Sequence, residues 1–298
     1  NNIIKGVFLV ALGATSYGML ATFVKLAYKE DFTTAEVTSS QFIYGIIGIL
    51  IINLFQRTKN KNTAVKASPK NIMHLMLAGT SLGMTSVFYY LAVKHIPVSI
   101  GIVLLMQTVW MGVLLEWFLD KKAPSAQKII SVIIVLIGTA LAINIFKIDF
   151  NDPTIDWSNG LFWGLLAAAS FTTTMFTANK VALGISSAQR SLYMLLGGAV
   201  IVFGFSLYTQ VTPFNFEIFT KWGIVLALFG TIIPPMLLNA GFPHTGIGLG
   251  SIVSSLELPV SVMMAYFLLN EQVLLIQWIG IVLIITAIVI MNIQIKKK

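Results

Sequence analysis

Ser254-Ser255-Leu256-Glu257-Leu258-Pro259 places a carboxylate near the middle of a long apolar run. At the centre of a bilayer a charged side chain costs about 2.5–3.5 kcal/mol on insertion scales. Glu257 is therefore expected to face a bundle interior or an aqueous cavity. About 150 residues earlier, Leu105-Met106-Gln107-Thr108-Val109 shares the layout of that run, with Gln107 opposite Glu257. Two related halves with polar groups at their seam are what these stretches predict.

The rest of the chain supports a bilayer setting. Of 298 residues, 57% are hydrophobic and only 10% charged, and the mean hydropathy is +0.87. A soluble domain carries about 25% charged residues. The apolar residues come in blocks of roughly 20, enough to cross a ~30 Å hydrocarbon core. The fold class expected is an all-α integral membrane protein.

Ten transmembrane helices are expected, at about 4–27, 34–55, 71–93, 98–119 and 126–146, then 158–180, 187–209, 217–240, 246–269 and 274–294. The halves divide at 1–147 and 148–298, together forming one unit. Connections are short, the longest being the basic segment Gln56 to Lys70. The first block is too long for a signal-peptide h-region and is read as a retained span.

The net charge of +8 sits in loops and at Lys296-Lys297-Lys298. That pattern marks topology and contact with anionic lipid, not nucleic acid. One side would hold Lys5, Arg57, Lys59, Lys61, Lys66, Lys70, Lys121, Lys122, Lys128, Lys180, Arg190 and the terminal lysines; the other would hold Lys29, Lys94, Lys147 and Lys221. The excess puts both termini in the cytoplasm of a multi-pass protein of the cell inner (cytoplasmic) membrane. The acidic loop with Asp149, Asp152 and Asp156 falls on the other side.

The halves share an order of features. Gly6-Val7-Phe8 answers Gly160-Leu161-Phe162, and Ser16-Tyr17 answers Ser170-Phe171. Asp120 falls opposite Asn270, and Gln41-Phe42-Ile43-Tyr44 opposite Arg190-Ser191-Leu192-Tyr193. Five spans per half is an odd number, so the two five-helix repeats must be inverted. Transporters of this design bind solute near the midplane between the repeats.

Polar and aromatic groups inside the spans are the candidate site. Gly250, Ser254, Glu257 and Ser261 share one helix face; the carboxyl either faces a cavity or bonds neighbouring helices. Tyr17, Tyr89, Tyr90, Gln107, Trp110 and Phe171 offer aromatic or amide surface suited to a cationic or planar ligand, although such residues also serve in packing. Pro234-Pro235 must interrupt a helix and is read as a hinge or cavity lining, with Asn239 just beyond. Pro259 is a third candidate hinge. Hydroxyls over Ser170 to Thr177 either meet a polar solute or bond back to their own helix.

No enzyme emerges. His74, His95 and His244 are scattered near span ends, and no metalloprotease, phosphate-cradling or paired-aspartate motif is present. Cysteine is absent. No metal and no cofactor are expected.

Leu256-Glu257-Leu258-Pro259-Val260, followed by Leu268-Leu269-Asn270-Glu271, resembles the EamA-type transporters of the drug/metabolite transporter superfamily. In that family each half tends to end in a Leu-Glu-Pro and then a Leu-Gly-Glu stretch. Here Leu258 intervenes and Asn270 replaces the glycine, while Gln107 and Asp120-Lys121 form a weaker copy. The resemblance implies movement of small metabolites, often outward, through a cavity between the halves. The expected function is a secondary transporter exporting an amino-acid-like or other ammonium-bearing metabolite by alternating access. Tyr17, Tyr89, Tyr90, Gln107, Trp110, Phe171, Asn239 and Glu257 are the expected contacts, and Glu257 is also the expected proton or cation coupling site. A multidrug or organic-cation efflux pump and a non-transporting membrane scaffold are the alternatives. The expected partners are a small-molecule substrate and membrane lipids, with no nucleic acid; the chain is a monomer or homodimer.

Overall fold

The computed structural model describes residues 2–59, 65–270 and 272–293. Lys61, Glu271 and the terminal lysines, invoked above, lie outside them. The described residues contain helices and no strand. The helices are α1 (Asn2–Lys29), α2 (Thr34–Lys59), α3 (Pro69–His95), α4 (Val98–Leu105), α5 (Thr108–Asp120) and α6 (Ala126–Ala142), then α7 (Trp157–Lys180), α8 (Ser187–Thr209), α9 (Ile224–Ala227), α10 (Ile233–Ser254), α11 (Glu257–Leu269) and α12 (Leu275–Ile293).

Eight helical stretches among the described residues are long and apolar enough to cross a membrane, and Ala126–Ala142 is a shorter apolar helix. One stretch, Phe219–Leu269, runs 51 residues. At ~1.5 Å per residue it far exceeds a ~30 Å core. It is not continuous: Gly246 has φ 76° and ψ 174°, a backbone setting open to glycine and strained for other residues.

Sequence explains the helix ends. Thr33 Oγ1 accepts the Glu36 N–H at 3.2 Å, and Glu36 Oε2 accepts the Thr33 N–H at 2.8 Å, a reciprocal cap for α2. Ser186 caps α8 through the Gln189 N–H at 3.2 Å. Ser68 and Ser125 cap α3 and α6 in the same way. Lys121 and Asn270 end α5 and α11 in the left-handed conformation.

The two halves interlock reciprocally. α1 packs along α10 and α11, while α7 packs along α3 and α4; α2 meets α8, and α6 meets α12. Small residues allow close approach, as expected where lipid supplies no hydrophobic drive. A Cβ on Gly138 of α6 would stand 2.8 Å from the Gly280 carbonyl of α12. Large apolar side chains such as Phe118, Leu207 and Leu275 remain on the outer surface.

The helix ends correct two registers read from sequence. Matching the caps Thr33 and Ser186 puts Arg190 opposite Val37, one turn from Gln41. Matching the breaks Met106-Gln107 and Ser255-Leu256 puts Thr108, not Gln107, opposite Glu257. Composition is so uniform along membrane helices that such slips carry no sequence signal.

Candidate functional site

Both the α4–α5 and the α10–α11 passages are broken in the middle. At the first break the Gln107 N–H turns to the Leu104 carbonyl at 3.0 Å. The Val103 carbonyl would be left bare, but Gln107 Nε2 donates to it at 3.0 Å. At the second break the Leu256 N–H turns to the Val253 carbonyl at 3.1 Å, and Ser255 Oγ donates to the Ile252 carbonyl at 2.6 Å. Side chains thus repair both ladders, as a lipid setting demands. Glu257 follows the second break as the first residue of α11.

Pro234 and Pro235 act differently from a simple kink. They follow a π-helical turn at Leu228–Ile232, in which carbonyls seek the N–H five residues on. For Phe229 that residue is Pro234, which has none. Ser16 Oγ donates to the Phe229 carbonyl at 3.1 Å instead. The Gly230 carbonyl lacks both its α and its π donor, because these are Pro234 and Pro235.

Glu257, Gly230 and the C-terminal half of α1 enclose a cavity of about 210 Å³. Tyr17, Ala21, Val24, Lys25 and Tyr28 line it from α1, at helical spacing. Gln41 comes from α2, and Thr85, Ser86, Tyr89 and Tyr90 from α3. Glu257, Leu258 and Ser261 close the other wall. Tyr17 and Tyr89 lie within electrostatic reach of the Glu257 carboxylate. The Tyr89 and Tyr90 rings meet edge to face with centroids 6.0 Å apart.

The opposite half of α1 packs solid. Val10 is fully buried in a cluster with Val109, Phe171, Met175, Leu238 and Phe242. Within it lies a void of about 10 Å³, lined by Phe171, Thr174, Asn239 and others. Tyr17 and Leu82 line both spaces and form the partition.

The expected site residues therefore separate. Tyr17, Tyr89, Tyr90 and Glu257 come together around the cavity. Phe171 and Asn239 sit at the small void. Gln107 and Trp110 line neither space; Trp110 Nε1 donates to Gln107 Oε1 at 2.8 Å, so the pair belongs to the repaired break. Pro259 lies in the first turn of α11, and without an N–H there the Ser255 carbonyl takes the Leu258 N–H at 3.3 Å. The interruption lies three to four residues upstream, at Ser255-Leu256, and Ser255 owns the carbonyl that an N–H at position 259 would have met, so Pro259 is suited to a break there.

Ser254 is turned from the cavity and bonds the Gly250 carbonyl at 2.9 Å. The α7 threonines Thr172, Thr173 and Thr177 bond back to their own helix. Sequence reasoning passed over Tyr28 and Gln41. The spacing Tyr17, Ala21, Val24, Tyr28 would have found the first; nothing local marks the second.

Arg190, read from sequence as a loop charge, is 2% exposed. Its guanidinium donates to the Val181, Thr177, Ala178 and Asn239 carbonyls. Toward the same end, Glu116 of α5 pairs with Lys128 of α6, and Lys180 lies 3.4 Å from Asp120.

The EamA-like transporter family matches this chain twice, over residues 4–144 and 158–293. A solved crystal structure superposes on it with a TM-score of 0.77 over 97% of each chain, at 13% sequence identity. A likeness at that identity speaks for the fold alone. No curated protein matches the sequence.

Proposed function

Because the chain belongs to the EamA-like transporter family, a family of membrane transporters, we propose that it is a secondary carrier exporting a small ammonium-bearing, amino-acid-like metabolite. The observation that carries this reading is the cavity of about 210 Å³ holding the Glu257 carboxylate between tyrosines. A carboxylate backed by aromatic faces suits a cationic head group. The volume is below the ~300–1,000 Å³ usual for drug-sized ligands, which favours a metabolite over a multidrug pump.

The mechanism is alternating access, and reciprocal packing of the halves supports it. Counting Phe219–Leu269 as two passes parted at Gly246, and α6 as one, gives ten passes in two inverted repeats, divided near residue 147. Both termini then lie in the cytoplasm and the membrane is the cell's inner one. The cavity runs from Glu257 out to Lys25, Tyr28 and Val93 near helix ends, the end assigned to the outside. Opening toward the far side would require the cluster around Phe171 and Phe242 to part. Glu257 binds the substrate ammonium or a coupling proton in turn. Tyr17, Tyr89 and Tyr90 are its partners in the open state, and Phe171 and Asn239 join after the partition moves.

The test is flux of small amines and amino acids in proteoliposomes across a pH range. Wild-type protein is expected to show pH-dependent flux, and Glu257→Gln to lose it while keeping its thermal midpoint. Unaltered flux in Glu257→Gln at every pH would remove the residue from the mechanism. No ligand-induced thermal shift across a metabolite panel would favour a scaffold without flux.

A further inference from the structure

Pro243 stands inside α10. A proline offers no N–H to the carbonyl four residues earlier, which here belongs to Asn239. Arg190 Nη1 donates to that carbonyl at 2.5 Å. The same guanidinium reaches the Thr177 and Ala178 carbonyls at 3.0 and 2.5 Å and the Val181 carbonyl at 3.0 Å. Thr177 and Ala178 belong to the last turn of α7, where carbonyls have no intrahelical partner and a cation is favoured. One side chain of α8 therefore clasps the end of α7 to the α10 segment.

Asn239 carries this clasp to the small void. Its Nδ2 donates to Ser191 Oγ at 2.8 Å. Its Oδ1 is buried and has no hydrogen-bond partner, an expensive state for a polar atom. The residue is 2% exposed and lines the void of about 10 Å³. That void meets the main cavity only across Tyr17 and Leu82, which line both. An orphaned acceptor next to a collapsed space is what a polar passage leaves when it is squeezed shut.

We propose that the Arg190–Asn239 contact is the latch holding the inner half of the translocation path closed, with Arg190 a positioning residue that acts through Asn239. The proposal rests on the carrier reading, which makes the void part of a path. Opening breaks the Nη1 bond to the Asn239 carbonyl and, with it, the 2.7 Å bond from Asn179 Nδ2 of α7 to the Phe242 carbonyl of α10, lets the α10 segment move from α7, and presents Asn239 Oδ1 to a hydrogen-bond donor on the passing solute. The Thr177, Ala178 and Val181 bonds stay with α7 and α8 throughout.

Pro243→Ala separates a latch from a mere helix cap. The alanine N–H can satisfy the Asn239 carbonyl from within α10, so Arg190 loses that acceptor while α10 gains a bond. The chain contains no cysteine, so Ala178→Cys, at the void, supplies a sole thiol. Its reaction with a water-soluble maleimide is followed on the purified full chain, with the buried Ala92→Cys in another cluster as control. Arg190→Gln and Pro243→Ala are each expected to speed labelling at position 178 about tenfold, the scale set by a hydrogen bond from a charged donor. Labelling at position 92 should stay slow.

Pro243→Ala labelling at the wild-type rate, or position 92 accelerating in step, would overturn the latch. If Arg190→Gln yields no folded protein, the Pro243→Ala arm decides alone. Absence of solute flux with the labelling pattern intact would remove the carrier reading and leave the local closure standing.

Discussion

Glu36 and Gln189 are counterparts, each three residues past a helix cap, and each holds a loop of the opposite half. Glu36 Oε1 accepts the Gln210 Nε2 and Asn215 N–H groups at 3.1 and 2.7 Å. Gln189 accepts the Ala67 N–H at 3.1 Å and donates to the Val65 carbonyl at 2.8 Å. The carboxylate is the more buried of the two, with 2% of the residue exposed, and its bonds are charge-assisted. Glu36→Ala should therefore lower stability by about 2–4 kcal/mol and Gln189→Ala by about 1 kcal/mol. Thermal midpoints in detergent would show the order; equal losses would contradict it.

Gln107 bonds across a broken helix and lines neither the cavity nor the void. Gln107→Leu bares the Val103 carbonyl and strands Trp110 Nε1, at a cost of about 1–3 kcal/mol. Ligand-induced thermal shifts and substrate KM should be unchanged. A large change in KM with no loss of stability would return Gln107 to the cavity wall.

Much of the architecture is legible in the sequence because lipid leaves little choice. An apolar block of sufficient length must close its own hydrogen bonds, so the helices and the placement of Glu257 on an interior cavity wall follow from composition. Tyr17, Tyr89 and Tyr90 follow as polar-tipped aromatics on helices that must meet. What stays hidden depends on backbone detail. Pro234 and Pro235 announce a break, but the π turn before them decides which carbonyls are freed. Pro259 announces a break, but the ladder gives way upstream of it, at Ser255, whose carbonyl has no N–H to meet at position 259. Arg190 has the sequence appearance of a loop lysine, and only the meeting of α7, α8 and α10 gives it four carbonyls. Gln41 is one polar residue among many until Gly230 comes against it.

The loop before α7 should show an acid dependence of its own. Asp156 accepts Asn159 Nδ2 at 2.7 Å and the Asn159 N–H at 3.1 Å, and His95 lies 3.7 Å away. The side-chain bond from Asn159, then the backbone bond, holds the carboxyl below its ordinary range. A carboxyl lowered by folding stabilises above its unfolded pKa of about 3.9. That contribution is lost as pH falls through the lowered folded value. The thermal midpoint should therefore drop on acidification below about pH 4, and less steeply in Asp156→Asn. Parallel curves for the two proteins would assign the acid loss to other carboxyls.

The crossing of α6 and α12 should tolerate no added side chain. A Cβ at Gly138 would lie 2.8 Å from one backbone carbonyl and 2.9 Å from Ile284 Cγ1. Backbone cannot yield as a flexible side chain can. Gly138→Val is expected to cost about 1–3 kcal/mol or more and to lower the yield of monodisperse protein on size exclusion. Normal yield and midpoint would mean that the two helices can separate without penalty.

Filling the cavity is the most direct check that it, and not the small void, receives the solute first. Ala21 lies on the α1 face between Tyr17 and Tyr28 and lines the cavity. Ala21→Trp would occupy much of its ~210 Å³ without removing a hydrogen bond. Stability should change by less than about 1.5 kcal/mol, since the space is already open. Ligand-induced thermal shift should vanish together with flux. Phe171→Leu, at the void, should leave the shift in place and alter only transport, as the proposed alternating access requires. Should Ala21→Trp bind ligand as the parent does, the recognition site would have to lie elsewhere in the bundle, and Glu257 would lose its assigned partner.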